Sequence, residues 1–307
     1  MIIPPFDHPG RFWRGQLHAH TDQSDGALSP AETARRYREA GYDFVAITDH
    51  FRQAYDFPLT DTRALRCEGF TTLLGAELHA PRTEFSSEWH ILAVGLPLGF
   101  TPPSPTETGP EIARRARAAG AFIGMAHPSA SLLTEADAVS LDAAHAVEVF
   151  NALSAHEERG DSWHLTDILL RRGRALTAYA ADDAHFQPQD PPGCVAWVNV
   201  RAESLQPDQL LAALIAGHYY SSTGPELHDI RLDGDKLAIR CSPVRKIQVT
   251  GGTPGVQLLE GASLTEAVLP VERFRHGYCR VTVEDAAGRR AWSNPIHLTV
   301  PATNKES

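Results

Sequence analysis

Short apolar runs alternate with amphipathic stretches through the first two thirds of the chain, a pattern that predicts strands followed by helices. Phe44 to Thr48, Phe122 to Ala126, Ala146 to Phe150 and Ala175 to Ala181 are short and largely apolar, as buried strands are. Thr71 to Leu74 leads into Gly75-Ala76-Glu77, and Ile91 to Gly95 follows His90. Between these runs lie helix signals. Ser29-Pro30-Ala31-Glu32 sets a capping serine before proline and an acidic residue, which predicts a helix to about Ala40 with a stop at Gly41. Glu111 to Ala119 and Trp163 to Arg172 read as helices closed by Gly120 and Gly173. The repetition of strand and helix predicts a parallel α/β fold.

The pattern changes after Pro225. Ile230 to Leu232, Leu237 to Arg240, Ile247 to Thr250 and Cys279 to Glu284 are short strands between turns such as Asp233-Gly234-Asp235. The chain therefore divides into an α/β part, 1–225, and a smaller antiparallel β-rich part, 226–307, ending in a polar tail from Ala302.

Composition narrows the partners. Lys and Arg number 28 against 38 Asp and Glu, a formal charge of −10. That argues against non-specific nucleic-acid or anionic-membrane binding. A small molecule is the expected partner, and the oligomeric state stays open. The four cysteines, Cys67, Cys194, Cys241 and Cys279, form no Cys-x-x-Cys. They read as mostly buried reduced thiols, with a Cys241–Cys279 bridge as the alternative. No stretch approaches the ~20 apolar residues of a membrane span, and the N-terminus has no basic region followed by an apolar core. The expectation is a cytoplasmic protein.

The chemistry is carried by histidines and carboxylates, most of them beside apolar runs. His18-Ala-His20 places two imidazoles at i and i+2, which face one side of an extended strand. Asp25 follows in a Ser-Asp-Gly turn. Thr48-Asp49-His50, Glu77, His90, His127-Pro128 and Asp183-Ala184-His185 come next. A buried Glu77 needs a partner, because an unpaired buried charge is costly. Zinc, manganese and iron accept this donor set. Asp49 reads either as part of the motif or as a helix cap, and His79 is a rival ligand on the face of Glu77. Asp182 points away from Asp183 if the strand persists. Most of these groups sit just after a strand, where the active site of a β/α barrel lies.

In this order, the motifs resemble those of the polymerase-and-histidinol-phosphatase (PHP) superfamily over residues 14 to about 225. The resemblance implies a distorted seven-stranded β/α barrel with two or three divalent ions, Zn, Mn or Fe, at its mouth. It implies a first metal held by His18, His20, Glu77 and Asp183. A second would lie on Glu77, His90 and His127, with Glu77 bridging, and a third on Asp25, His50 and His185. Some relatives carry histidine where this chain has Asp25. Tyr219 to Pro225 and Trp292-Ser293-Asn294-Pro295 resemble the branch containing carbaryl hydrolase-like proteins.

The resulting expectation is a metal-dependent phosphoesterase of small phosphorylated metabolites or nucleotides, with Glu77 and Asp183 as catalytic residues beside a metal-activated water. Three divalent ions bring about +6 and Asp25, Glu77 and Asp183 about −3, a surplus that attracts a phosphate. Arg52 is a candidate phosphate clamp or a surface arginine, and His156, Arg159 and His164 are candidate pocket residues or exposed helix residues. The same centre suits a carboxylester, carbamate or amide hydrolase. A non-catalytic metal- or carbohydrate-binding protein is the third reading.

Overall fold

The computed structural model describes residues 3–85 and 87–298; the polar tail read from the sequence lies outside them. From the N-terminus, β1 (Arg11–Gln16) leads to α1 (Pro30–Glu39), β2 (Phe44–Ile47) and the short β3 (His50–Phe51). The long β4 (Thr71–Pro81) turns into β5 (Glu88–Val94). Then come α2 (Gly109–Ala118), β6 (Phe122–Met125), α3 (Glu135–Ser140), β7 (Ala146–Asn151), α4 (Ala152–His156) and α5 (Trp163–Arg171). The segment ends with β8 (Thr177–Ala181), β9 (Trp197–Ala202), α6 (Pro207–Ala216) and β10 (Tyr219–Ser222). Helix α1 starts as its sequence dictates: the Ser29 hydroxyl accepts the Glu32 N–H, and Pro30 fills the first turn.

The sheet is mixed. β1, β2 and β4 are parallel, as are β6, β7 and β8. β5 runs antiparallel to both β4 and β6. The all-parallel expectation fails there for a length reason. Residues 82–87 are too few for a crossover, which takes a dozen residues or more, so the chain makes a hairpin.

The expected seven-stranded barrel is not closed. The order β9-β1-β2-β4-β5-β6-β7-β8 leaves β8 without a ladder to β1. The gap is bridged just beyond the strand ends. Asp183 N–H donates to His18 O (3.0 Å), and His20 N–H donates to Ala184 O (2.9 Å). The buried Gln16 side chain completes the seam. Its Oε1 accepts from Leu17 N–H (2.9 Å), His18 N–H (3.0 Å) and Asp182 N–H (3.2 Å), and its Nε2 donates to Ala196 O (3.0 Å). A side chain thus satisfies the backbone donors that a continuous ladder would have used.

The C-terminal strands β11 (Leu227–Asp233), β12 (Lys236–Gly251), β13 (Gln257–Pro270), β14 (Tyr278–Glu284), β15 (Arg290–Trp292) and β16 (Ile296–His297) are antiparallel. They continue the same sheet, because β15 pairs with β10 through Trp292 and Ser221. Their apolar face, including Ile230, Ile239, Ile247, Val281 and Val283, is a core distinct from that around Phe44, Leu92 and Phe122. All four cysteines are free, which removes the Cys241–Cys279 bridge, and Cys67 is exposed rather than buried. Among the described residues no helix is long and apolar enough to cross a membrane.

Candidate metal centre

His18 and His20 follow β1 and are buried. His50 opens β3, His127 follows β6, and Asp183 and His185 follow β8. Glu77 lies in the middle of β4, which runs seven residues past the Leu74 end read from the sequence, and His90 lies within β5. All nine sequence-nominated ligands fall in four overlapping groups whose donor atoms lie within 4.8 Å of one another inside each group.

Glu77 is the hub. It is 0% exposed, and six imidazoles surround its two oxygens. Oε1 lies 2.8 Å from His90 Nδ1, 3.2 Å from His127 Nε2 and 3.7 Å from His18 Nε2. Oε2 lies 2.6 Å from His50 Nδ1 and 3.6 Å from both His20 Nε2 and His79 Nε2. Asp183 Oδ1 is 3.0 Å from His20 Nε2 and 3.2 Å from His18 Nε2. At the mouth, Asp25 reaches His50 Nε2 and His185 Nε2, each at 3.3 Å. His20 belongs to this outer group as well as to the inner one, and His79 joins His50, Glu77 and His90.

Asp49 does neither of the things its motif suggested. Its carboxylate accepts from Thr21 N–H and hydroxyl, from Ser24 and from Thr60. It pins the turn that carries Asp25. Asp182 points away from the cluster and takes the N–H groups of Cys194, Val195 and Ala196 and the Tyr37 hydroxyl.

Glu148 was not foreseen. This fully buried β7 carboxylate lies 3.1 Å from His18 Nδ1 and accepts the His127 N–H at 2.6 Å. Asn151 Nδ2 donates to it and to Asp183, at 3.1 Å each. The sequence signal was a single charge inside Ala146-Val-Glu-Val-Phe150. Arg52 is not a free clamp: its guanidinium pairs with Glu88. His156, Arg159 and His164 are exposed and lie in none of the four groups.

The donors fit divalent cations on three grounds. First, His18 Nε2, His20 Nδ1 and Glu77 Oε2 are buried with no aligned hydrogen bond, although oppositely charged atoms lie close to His18 Nε2 and Glu77 Oε2. Orphaned donors and acceptors of this kind are rare in folded proteins. Second, His127 and Asp183 adopt positive φ, 25° and 55°. Such backbone strain gathers at functional sites. Third, the carboxylates draw in positive charge. Burial opposes it, yet Glu77 and Asp25 raise the His50 imidazole to about 10. Burial and the neighbouring His185 push His20 down to about 3, and burial is outweighed by His90 and His50 in holding Glu77 well below the usual range.

No protein-family model and no curated protein matches the chain. A solved structure from Bacteroides vulgatus, a two-domain protein described as containing a predicted PHP-like metal-dependent phosphoesterase, superposes with a TM-score of 0.53 at 14% identity, over 91% of this chain and 93% of that one. The chain has a PHP-like fold. The likeness spans both the α/β part and the C-terminal strands. A protein of Bifidobacterium adolescentis whose description as a metal-dependent phosphoesterase is itself a prediction covers 70% of this chain and 97% of its own (18% identity, TM-score 0.44). An amidohydrolase from Chromobacterium violaceum with bound sulfate covers 57% and 89% (16% identity, TM-score 0.41). In this PHP-like fold the histidine cluster lies where β1, β3, β4, β5, β6, β7 and β8 converge, and no residue beyond 225 enters any of its four groups among the described residues.

Proposed function

We propose that the chain is a metal-dependent hydrolase that cleaves phosphoesters of small metabolites or nucleotides. The observation that carries this reading is the ring of six imidazoles around the buried Glu77 carboxylate. His18, His20, Glu77 and Asp183 would hold one cation; Glu77, His90 and His127 a second; Asp25, His50 and His185 a third. Zinc, manganese or iron suits these donors. Bound there, the cations supply Lewis-acid polarisation and positive charge against a developing anion. The chain does the positioning. Glu148 fixes the His18 ring and the His127 backbone, Asn151 ties Glu148 to Asp183, and Asp49 holds the Asp25 turn. Glu77 and Asp183 are the residues whose loss would empty the inner positions.

With Glu148 included, four carboxylates offset about −4 of the about +6 of three cations, leaving about +2. That surplus supports an anionic substrate. One observation favours the second reading, a carboxylester, carbamate or amide hydrolase: the Arg52–Glu88 pair leaves no free guanidinium for a phosphate at that position.

Metal-loaded protein offered nucleotides, sugar phosphates, phosphodiesters and aryl esters tests both readings. Fastest turnover on a phosphoester, with competition by millimolar phosphate, is the expected result. Faster cleavage of aryl esters or carbamates without phosphate inhibition gives the second reading. No turnover of any class by fully loaded protein removes both.

A further inference from the structure

A cleft of about 1340 Å³ lies apart from the histidine cluster, and none of the candidate ligands lines it. Its volume exceeds the ~300–1,000 Å³ of ordinary ligand pockets. One wall is a face of β1, β9 and β10. Arg14 is the ladder partner of Asn199, Asn199 of Tyr220, and Phe12 of Arg201, so these five side chains project together. Trp197, two residues before Asn199, shares the face.

The polar groups of this face are donors in search of acceptors. Arg14 lies over the Trp197 and Tyr42 rings, at 3.6 and 4.1 Å; its guanidinium donates to Ala40 O at 3.4 Å, while its buried Nε has no hydrogen-bond partner among the described residues. Arg201 lies 5.0 Å from the Phe12 ring, and its Nε donates to His8 O. Neither guanidinium has a carboxylate partner among the described residues. Asn199 is 9% exposed, and its Nδ2 is buried with no hydrogen-bond partner. Leaving such a donor unmade costs roughly 1–3 kcal/mol. The rim carboxylates are mostly engaged: Asp43 with Arg11, Glu226 with His228, and Asp161 with the Trp163 N–H. Exposed Glu158 has no partner among the described residues. Arg289 and Arg290 are neutralised by Asp285 and Glu284.

Two guanidiniums without a carboxylate partner, a buried amide donor without an acceptor and aromatic rings on one face are complementary to a single kind of molecule. We propose that this cleft binds a small anion carrying a flat ring, of the class of a nucleoside monophosphate. Arg14 and Arg201 meet the anionic group, Asn199 Nδ2 meets an acceptor, and the aromatic wall takes the ring. The proposal does not rest on the hydrolase reading.

The test is calorimetry and tryptophan fluorescence on metal-stripped full-length protein, with adenosine monophosphate, adenosine, inorganic phosphate and an aromatic carboxylate as probes. Adenosine monophosphate should bind at least tenfold more tightly than adenosine or phosphate and should quench fluorescence. Stronger binding of the aromatic carboxylate keeps the site and changes its anion. Arg201→Gln and Asn199→Asp should each weaken binding at least tenfold, with the melting temperature and the metal stoichiometry unchanged, whereas Arg201→Lys should retain most of it. If ring and anion together bind no better than either alone, the idea fails. Equal affinity in Arg201→Gln and Asn199→Asp, or binding lost instead in Asp183→Asn, would also sink it.

Discussion

Glu148 Oε1 lies 3.1 Å from His18 Nδ1, and both side chains are 0% exposed. The contact leaves His18 Nε2 facing Asp183 and Glu77. A carboxylate behind an imidazole fixes the ring's tautomer and orientation and makes its other nitrogen a better donor to a metal. Burial lowers the His18 pKa, but Asp183 and Glu148 together raise it well above the ordinary value. Glu148 therefore sits where it can tune the His18 imidazole, besides belonging to one of the four groups itself.

Glu148→Gln should lower metal affinity about 10–100-fold, the usual cost of losing such a carboxylate. The glutamine keeps an acceptor for the His127 N–H, so the fold should persist. Chelator-competition titration beside circular dichroism reads both effects. Affinity within twofold of the parent would assign Glu148 to packing alone.

Removing metal should destabilise the chain. A ligand at 100 times its dissociation constant adds about 2.7 kcal/mol of stability. Chelation should therefore lower the melting temperature by several degrees, and zinc or manganese should restore it in a concentration-dependent way. An unchanged melting curve on going from loaded to stripped protein would mean that the cluster holds no ion.

The gathering of the nine nominated residues was legible because most sit beside an apolar run, where chain direction and burial are set locally. Glu148 was hidden by the same logic, since Ala146-Val-Glu-Val-Phe150 reads as strand and its one charge looked incidental. The antiparallel β5 was missed although residues 82–87 are visibly too short for a crossover. The open seam had no local signal. Gln16 acquires its role only when Asp182 and Ala196, far along the chain, reach its amide. Arg52 looked free because Glu88, which neutralises it, lies on another strand.

Gln16→Leu tests that seam. It would strip an acceptor from three buried N–H groups, those of Leu17, His18 and Asp182. At roughly 1–3 kcal/mol for each orphaned donor, the loss should reach at least about 3 kcal/mol. Metal affinity should fall with it, because His18 and Asp183 flank the break. Urea denaturation measures the first and metal titration the second. A change below about 1 kcal/mol would show that the two edges hold without the side chain.

His145 gives the chain an acid sensitivity remote from the candidate ligands. Its Nδ1 accepts the Ile123 N–H at 2.9 Å, which only the neutral ring can do. Burial, with Arg117 adding repulsion, lowers its pKa from 6.5 to about 4. The unfolded chain therefore binds a proton at this ring near pH 6.5, while the folded chain resists until about pH 4. Between those values the unfolded state carries more protons, so stability falls as pH falls. The contribution is complete above pH 6.5 and gone below about pH 4. The ring is only half-buried, so solvent screening reduces its worth to about 1 kcal/mol. His145→Asn keeps an acceptor for Ile123 and cannot titrate. Urea unfolding from pH 7 to 4 should show a shallower loss in the variant than in the parent. Parallel curves would place the acid sensitivity elsewhere.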